Sequence, residues 1–287
     1  MIYSIHKKLL ALCLFAFIGT CNANNADKPW RMLDINNTVL LALPHGKVVI
    51  ELAPQFSPKH VAQFSALLKN SFYDGTKFYR VIDGFVAQAG PAEDSEKDSL
   101  VPTLAIEGEF SMDDNWSFTQ VQRKDLFAKY TGFQQGFALA KNNNSAWLTH
   151  CPGTLAMARG NEADSASSHF YFVIGQAPRY LDRIMTIFGR VVYGMEHIQS
   201  IQRTSVIEGE ASIDAGMHTP IVSMKLMADV PIAERIIIEV ENTEAKAFAK
   251  RIEERRARKD AFFYKKPPPV LDVCQVPIRS RLITTES

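Results

Sequence analysis

Arg80 stands in a run that is otherwise largely apolar and aromatic: Phe72-Tyr73-Asp74-Gly75-Thr76-Lys77-Phe78-Tyr79-Arg80-Val81-Ile82-Asp83-Gly84-Phe85-Val86-Ala87-Gln88-Ala89-Gly90. On a strand, Arg80 and Ile82 share a face because their separation is even. A guanidinium in that setting is a permanently charged planar donor. It acts either as a structural partner for a carboxylate or as a fixed electrostatic donor at a reacting centre. A second block follows: Gly153-Thr154-Leu155-Ala156-Met157-Ala158-Arg159-Gly160, then Ser165 to Val173, Tyr180-Leu181-Asp182 and Ile187 to Val191. Taken singly, each of its aromatics reads as core. Other chemistries lack their residues. The chain has no G-x-S-x-G elbow, no P-loop, no dinucleotide fingerprint and no H-E-x-x-H. Ser168 and His169 are adjacent, so on a strand they point to opposite faces and cannot act as nucleophile and base. His150 and Cys151 fail for the same reason. With no C-x-x-C pair, neither a redox motif nor a zinc site is signalled, and neither cofactor nor metal is expected.

The elements that must position these residues are mostly short strands. Val39 to Leu43 and Val48 to Leu52 form a hairpin around Pro44-His45-Gly46. Ser57 at the N-cap and Pro58 at the first helical position open a helix whose stripe is Val61, Phe64, Leu67 and Leu68. Lys77 to Ile82 and Phe85 to Gln88 are strands joined at Asp83-Gly84. Further strands are expected at Gly153 to Ala158, His169 to Ile174, Thr186 to Val192 and around Val222, Met224 and Leu226. Residues 91–144 are polar and acidic and read as long loops with one short strand near Leu104 to Phe110. Many short strands and few helices favour a barrel or sandwich. The tail adds a strand at Ile236 to Val240, a charged helix over Thr243 to Lys259, and an extended segment at Pro267-Pro268-Pro269.

Length and composition set outer limits. The 287 residues are 46% hydrophobic and 22% charged, an ordinary globular balance. With 32 basic and 31 acidic residues the net charge is +1, which gives no nucleic-acid footprint. At the N-terminus, Lys7 and Lys8 precede the apolar run Leu9 to Ile18, followed by Gly19-Thr20-Cys21-Asn22-Ala23. These are the parts of a signal peptide over residues 1–23, with Ala23 as first and Ala26 as second cleavage site. The run is too short to span a bilayer, so stable membrane insertion is not expected. Cys21 offers a lipoprotein site, although Thr20 before it is large for one. The mature chain is thus expected to be periplasmic or secreted, and cleavage at Ala23 leaves Cys151 and Cys274. An oxidising compartment favours a disulfide between them; the alternative is two free buried thiols.

The two chemical blocks together resemble the cyclophilin family from about Val39 to Leu226. The pattern F-x-R-x-I-x-G-F-x-x-Q at Phe78 to Gln88 carries the resemblance. So do G-x-L-x-M-A at Gly153 to Ala158 and the Leu181-Asp182 and Phe188-Gly189 pairs at family-like spacing. More narrowly, the chain looks like an exported bacterial subgroup. The division is then an isomerase domain over 38–228 with a loop insertion at 91–144, and a helical C-terminal extension over 229–287. The resemblance implies a mainly β fold, a closed antiparallel barrel of eight strands capped by two helices. It implies cis/trans isomerisation of X-Pro bonds in exported proteins, assisting their folding. By position it makes Arg80 and Gln88 catalytic, and makes Phe78, Phe85, Val86, Ala158, Arg159, His169, Tyr171 and Leu181 substrate-binding. Partners would be proline-containing unfolded or peptide chains, with docking of a further partner through the C-terminal helix. The chain departs from the family at Tyr79 (often His), His169 (Gln), Tyr180 (Trp), Met185 (His), Val86 (Met) and Ala89 (Gly). Those departures leave open an alternative, a proline-peptide-binding chaperone or assembly module with little turnover.

Overall fold

The computed structural model describes residues 28–92, 95–112, 117–204, 206–207, 210–211 and 217–283. The signal segment with Cys13 and Cys21, and the Ala23 and Ala26 sites, lie outside them. Thr38–Leu43 and Gly46–Leu52 carry nearly continuous apolar runs, buried on both faces, and pair antiparallel with Leu43 opposite Gly46. They belong to an antiparallel sheet of nine strands. Its order is Thr219–Pro220, Lys77–Val81, Val86–Gly90, Phe170–Val173, Thr154–Met157, Ile187–Tyr193, Gly46–Leu52, Thr38–Leu43 and Ser223–Leu226. Only Ile221 and Val222 separate the two edge strands along the chain, so the sheet curls back on itself. The fold is therefore mainly β. Where eight closed strands were expected, pairing runs through nine, and the edge strands do not pair with each other among the described residues.

The inside of the curl is the main core. Val39, Leu41, Ile50, Phe78, Val81, Leu155, Met157, Phe170, Phe172 and Phe188 fill it. Helix Pro58–Lys69 contributes Val61, Phe64 and Leu68, and the short helix Met195–Gln199 contributes Ile198. Ser57 occupies the N-cap position, yet its hydroxyl donates to the Ile187 carbonyl at 2.5 Å rather than capping the helix. The carboxylate of Glu107 takes the free Lys59 and His60 N–H groups instead, at 3.1 and 3.0 Å. An anion at a helix N-terminus suits the macrodipole.

Residues 91–144 are not long loops. Phe110–Ser111, Thr119–Arg123, Tyr130–Gln134, Phe137–Asn142 and Ser145–Leu148 form a five-stranded antiparallel sheet. Its Phe137, Leu139, Ala146 and Leu148 pack on the outer face of the large sheet. Leu104 makes only an isolated bridge to Ala166, not a strand.

The termini differ from expectation as well. Trp30–Met32, ahead of the expected isomerase domain, pairs with Ile238–Glu241, which pairs with Ser280–Leu282. The extension thus combines strands with one helix, Lys246–Ala257, rather than being helical throughout. Phe248 and Ile252 of that helix are buried against Val121, Phe133, Val273 and Val276. A disulfide joins Cys151 to Cys274 across this cluster, with Cα atoms 4.9 Å apart.

Candidate active site

Strands Lys77–Val81 and Val86–Gly90 are joined by a turn at Asp83-Gly84, where Gly84 has φ +68°. The turn lies against Gly175, where a Cβ would come within 1.9 Å of the Gly84 backbone. This close approach fixes Phe85, whose carbonyl receives the Ile174 N–H at 2.9 Å. Pairing runs Phe78 to Ala89, then Arg80 to Gln88, so Tyr79 sits in a bulge. A bulge re-aims side chains and locally breaks alternation. Phe78 therefore faces the interior, fully buried beside Phe170 and Phe172. Arg80, opposite Gln88, faces outward. Phe78, expected to support the floor of the substrate site, is fully buried in the main core on the inner side of the strand.

Arg80 donates from Nη1 to Gln88 Oε1 at 3.1 Å, and its Cζ lies 6.0 Å from the centre of the Phe85 ring. Among the described residues no carboxylate lies within salt-bridge distance of Arg80. Other arginines contrast with it. Arg190 is held by Glu51, Arg179 by Asp182 and Asp125, and Arg279 by Glu241. Arg80 is thus held by a neutral amide, with no carboxylate partner for its charge among the described residues.

Beside Arg80 lies an apolar patch. Val86, Ala158 and Tyr171 are buried there, with Phe85 and Met185 at its edge. Leu181 is half-buried in the turn Arg179–Leu181. That turn is tied from beneath. Asp182 accepts the His150 backbone N–H at 2.9 Å, bonds His150 Nδ1 at 3.0 Å and accepts Arg179 Nε at 2.5 Å. Trp147 Nε1 reaches the same carboxylate at 3.4 Å. The Tyr171 hydroxyl meets His150 Nε2 at 2.9 Å, and burial, with Asp182 nearby, raises the phenol pKa well above its usual range. Tyr171 therefore stays a neutral pocket wall.

Two expected substrate-binding side chains have other engagements. Arg159 donates to the carbonyls of Ile184, Gly160 and Asn161 at 2.9, 2.9 and 3.2 Å, bracing the turn after Leu181. His169 has both ring nitrogens occupied, Nδ1 by the Tyr79 hydroxyl at 2.7 Å and Nε2 by Asp98 at 3.2 Å. His150, Trp147, Asp98 and Tyr79 carry the site's scaffolding and are absent from the sequence-based set. Only Tyr79 had a signal there, as a departure from the family pattern. Among the described residues no cluster of His, Cys, Asp and Glu suits a metal, and no helix is long and apolar enough to cross a membrane.

The site is thus an outward arginine, paired with no described carboxylate, beside an apolar pocket on a curled antiparallel sheet. The description "Cyclophilin type peptidyl-prolyl cis-trans isomerase/CLD" matches residues 37–225, and the chain belongs to that family and is an isomerase. A "Probable peptidyl-prolyl cis-trans isomerase" of Brucella suis biovar 1 is 32% identical over 178 residues, 62% of this chain and 78% of that one. "Peptidyl-prolyl cis-trans isomerase B" of Bacillus subtilis is 26% identical over 162 residues, 56% of this chain and 87% of that one. Among solved structures, cyclophilin AquaCyp293 from Hirschia baltica has a TM-score of 0.72 at 27% identity, over 90% of this chain and 95% of that one.

Proposed function

We propose that this chain accelerates X-Pro rotation in exported polypeptides, with Arg80 acting on the prolyl nitrogen. The observation that carries this is the Arg80 guanidinium, bonded to neutral Gln88 at 3.1 Å, unpaired with any described carboxylate and set beside the Phe85 ring. Amide rotation meets a barrier of about 18–20 kcal/mol because of resonance. A donor aimed at the nitrogen stabilises its lone pair as it leaves conjugation, which lowers that barrier with no bond broken. Phe85, Val86, Ala158, Tyr171 and Leu181 supply the apolar seat for the proline ring. Ala158 and Arg159 offer main chain to the substrate backbone. Gln88 holds the guanidinium.

Export is supported by the basic stub and apolar run before Ala23 and by the Cys151–Cys274 bond, a type of bond that persists in oxidising compartments. We read the curled sheet as a closed barrel, given how few residues separate its edge strands. Docking of a partner through the C-terminal helix is confined to its charged outer face, because Phe248 and Ile252 are covered by the chain itself. A second reading, a peptide binder with little turnover, is favoured by Tyr180, which is 65% exposed rather than packed into the pocket.

The test is a proline-peptide isomerisation assay on the purified mature chain with its Arg80→Ala variant. We expect acceleration by the wild type and a loss of about 100-fold or more in the variant, the scale for a lost transition-state donor. Peptide binding without acceleration, or an equal rate in Arg80→Ala, would overturn the proposal in favour of the binder.

A further inference from the structure

We propose that Tyr79, His169 and Asp98 form a positioning relay that fixes Gln88, and through it Arg80, in the orientation catalysis requires. The proposal rests on Arg80 being the donor to the prolyl nitrogen. The contacts run without a gap. Arg80 Nη1 donates to Gln88 Oε1 at 3.1 Å, Gln88 Nε2 donates to the Tyr79 hydroxyl oxygen at 2.6 Å, and that hydroxyl meets His169 Nδ1 at 2.7 Å. His169 Nε2 lies 3.2 Å from Asp98 Oδ2, and Asp98 Oδ1 accepts the Ser168 hydroxyl at 2.5 Å.

The chemistry of the two ends sets the direction of the whole chain. A guanidinium only donates and a carboxylate only accepts. Arg80 therefore takes the amide oxygen of Gln88, which leaves the amide nitrogen to face Tyr79. With the Gln88 amide donating to its oxygen, Tyr79 directs its own hydrogen to His169 Nδ1. A neutral imidazole then carries its proton on Nε2, facing Asp98. Asp98 thus selects the tautomer that His169 needs, in the way a carboxylate orients a histidine elsewhere. A flipped Gln88 amide would set its nitrogen against the guanidinium, donor against donor, so the relay removes the one rotation that would release Arg80.

The fold makes room for this arrangement at two places. The bulge at Tyr79 brings its side chain to the face of Arg80 and Gln88, against strict alternation. At Gly90 a Cβ would come within 2.4 Å of His169 Nδ1, so only glycine admits the imidazole there. The imidazole and the Tyr79 ring meet edge to face, 5.5 Å between centres. Asp98 comes from the helix Glu96–Ser99 at the start of the 91–144 insertion, with its backbone N–H bonded to Ser95 Oγ at 3.2 Å. Through it, a segment outside the two motif blocks holds the arginine in place.

The experiment compares wild type, Tyr79→Phe, His169→Ala, the double variant, and His169→Gln in the proline-peptide assay, with peptide Kd measured separately. Loss of one net hydrogen bond gives the scale. Tyr79→Phe and His169→Ala should each lower kcat about 3- to 10-fold, with Kd and KM held within about twofold. Because both cut one relay, the double variant should fall no further than the worse single variant, a non-additivity that independent packing defects do not give. His169→Gln should recover most of the loss seen in His169→Ala, since its amide oxygen can accept from Tyr79. The side-chain 15N–1H signal of Arg80 Nε reports the same event without turnover and should shift or broaden in Tyr79→Phe. Wild-type kcat in Tyr79→Phe, additive losses in the double variant, or an unchanged Arg80 signal would each overturn the relay. If Tyr79→Phe fails to fold, Asp98→Asn, which removes the tautomer-selecting carboxylate, should show the same drop in kcat; an unchanged kcat there also overturns it. Arg80→Ala is run alongside. If it retains full rate, the Arg80 reading itself fails; if it loses activity while the relay variants do not, only the relay fails.

Discussion

Tyr171 offers its ring to the apolar patch beside Arg80 and its hydroxyl to His150, which stacks on it with ring centres 6.2 Å apart. Removing the hydroxyl leaves a fully buried imidazole nitrogen without that partner. Tyr171→Phe should therefore lower unfolding stability by about 1–3 kcal/mol, the usual cost of orphaning a buried polar group, while the apolar seat is retained. Urea unfolding of both chains measures this; a change under about 0.5 kcal/mol would mean that His150 finds another partner, such as water. At this scale the sequence was informative about residue type and order. Arg80, Gln88, Phe85, Tyr171 and Leu181 are legible because they stand at positions of the family pattern that the chain resembles. The bulge at Tyr79 was not legible, because one extra residue changes the parity by which strand faces are read and nothing local announces it. Asp98 gave no signal and His150 was weighed only with adjacent Cys151, since their partners lie 71 and 32 residues away in the chain.

Helix Pro58–Lys69 depends on a contact that its own sequence does not contain. Glu107 binds the N–H groups of Lys59 and His60 and also His60 Nδ1, at 2.7 Å. Burial is the largest influence on His60 and lowers its pKa below the ordinary 6.5, against the opposing pull of Glu107. Its Nε2 is buried and finds no partner among the described residues, so a second proton there would be an unsatisfied donor. The folded chain therefore binds fewer protons at His60 than the unfolded chain does just below pH 6.5. Its contribution to stability is complete above pH 6.5 and is lost as pH falls through the lowered folded value. Thermal midpoints should fall from about pH 7 to pH 5, and more steeply in the wild type than in His60→Gln. Parallel curves would assign the acid sensitivity to other groups.

Strand legibility followed the same logic of local against distant information. The strands of the large curled sheet announce themselves as apolar runs. The insertion strands do not: Thr119–Arg123 buries only Val121 well, and its polar majority reads as loop. The hairpin Tyr130–Gln134 to Phe137–Asn142 turns on Gln135-Gly136, both with positive φ, at 49° and 83°. A two-residue turn of that shape is usually signalled by Asn-Gly or Asp-Gly, so Gln-Gly passed unread. Val222, expected to alternate inward with Met224 and Leu226, is 56% exposed because the strand begins one residue later.

At the scale of the molecule, the chain is layered. The curled sheet packs on the insertion sheet, and the insertion sheet packs on the C-terminal extension. The N-terminal strand Trp30–Met32 completes the extension's small sheet, so the two ends of the described chain are held together. The Cys151–Cys274 bond spans 123 residues and ties the extension to the residue next to His150, beneath the pocket. Closing so long a loop in the unfolded chain gives the bond about 2–5 kcal/mol in the chain-entropy account. The Cys151→Ser/Cys274→Ser double variant should lose stability on that scale under oxidising conditions. Equal thiol titres before and after reduction of the wild type would show that no such bond forms in solution.

The sequence by itself determined the chemistry. Residue types at fixed spacings, Arg80 to Gln88 and Gly153 to Ala158, carry the resemblance to the family, because those patterns lie locally along short strands. Only the tertiary structure decided what holds them. The bulge at Tyr79, the Glu107 cap, the sheet hidden in the insertion and the Asp98–His169 pair all depend on groups distant in the chain. Their positions follow from strand register and from how polar groups are satisfied once buried, neither of which a single stretch of sequence contains.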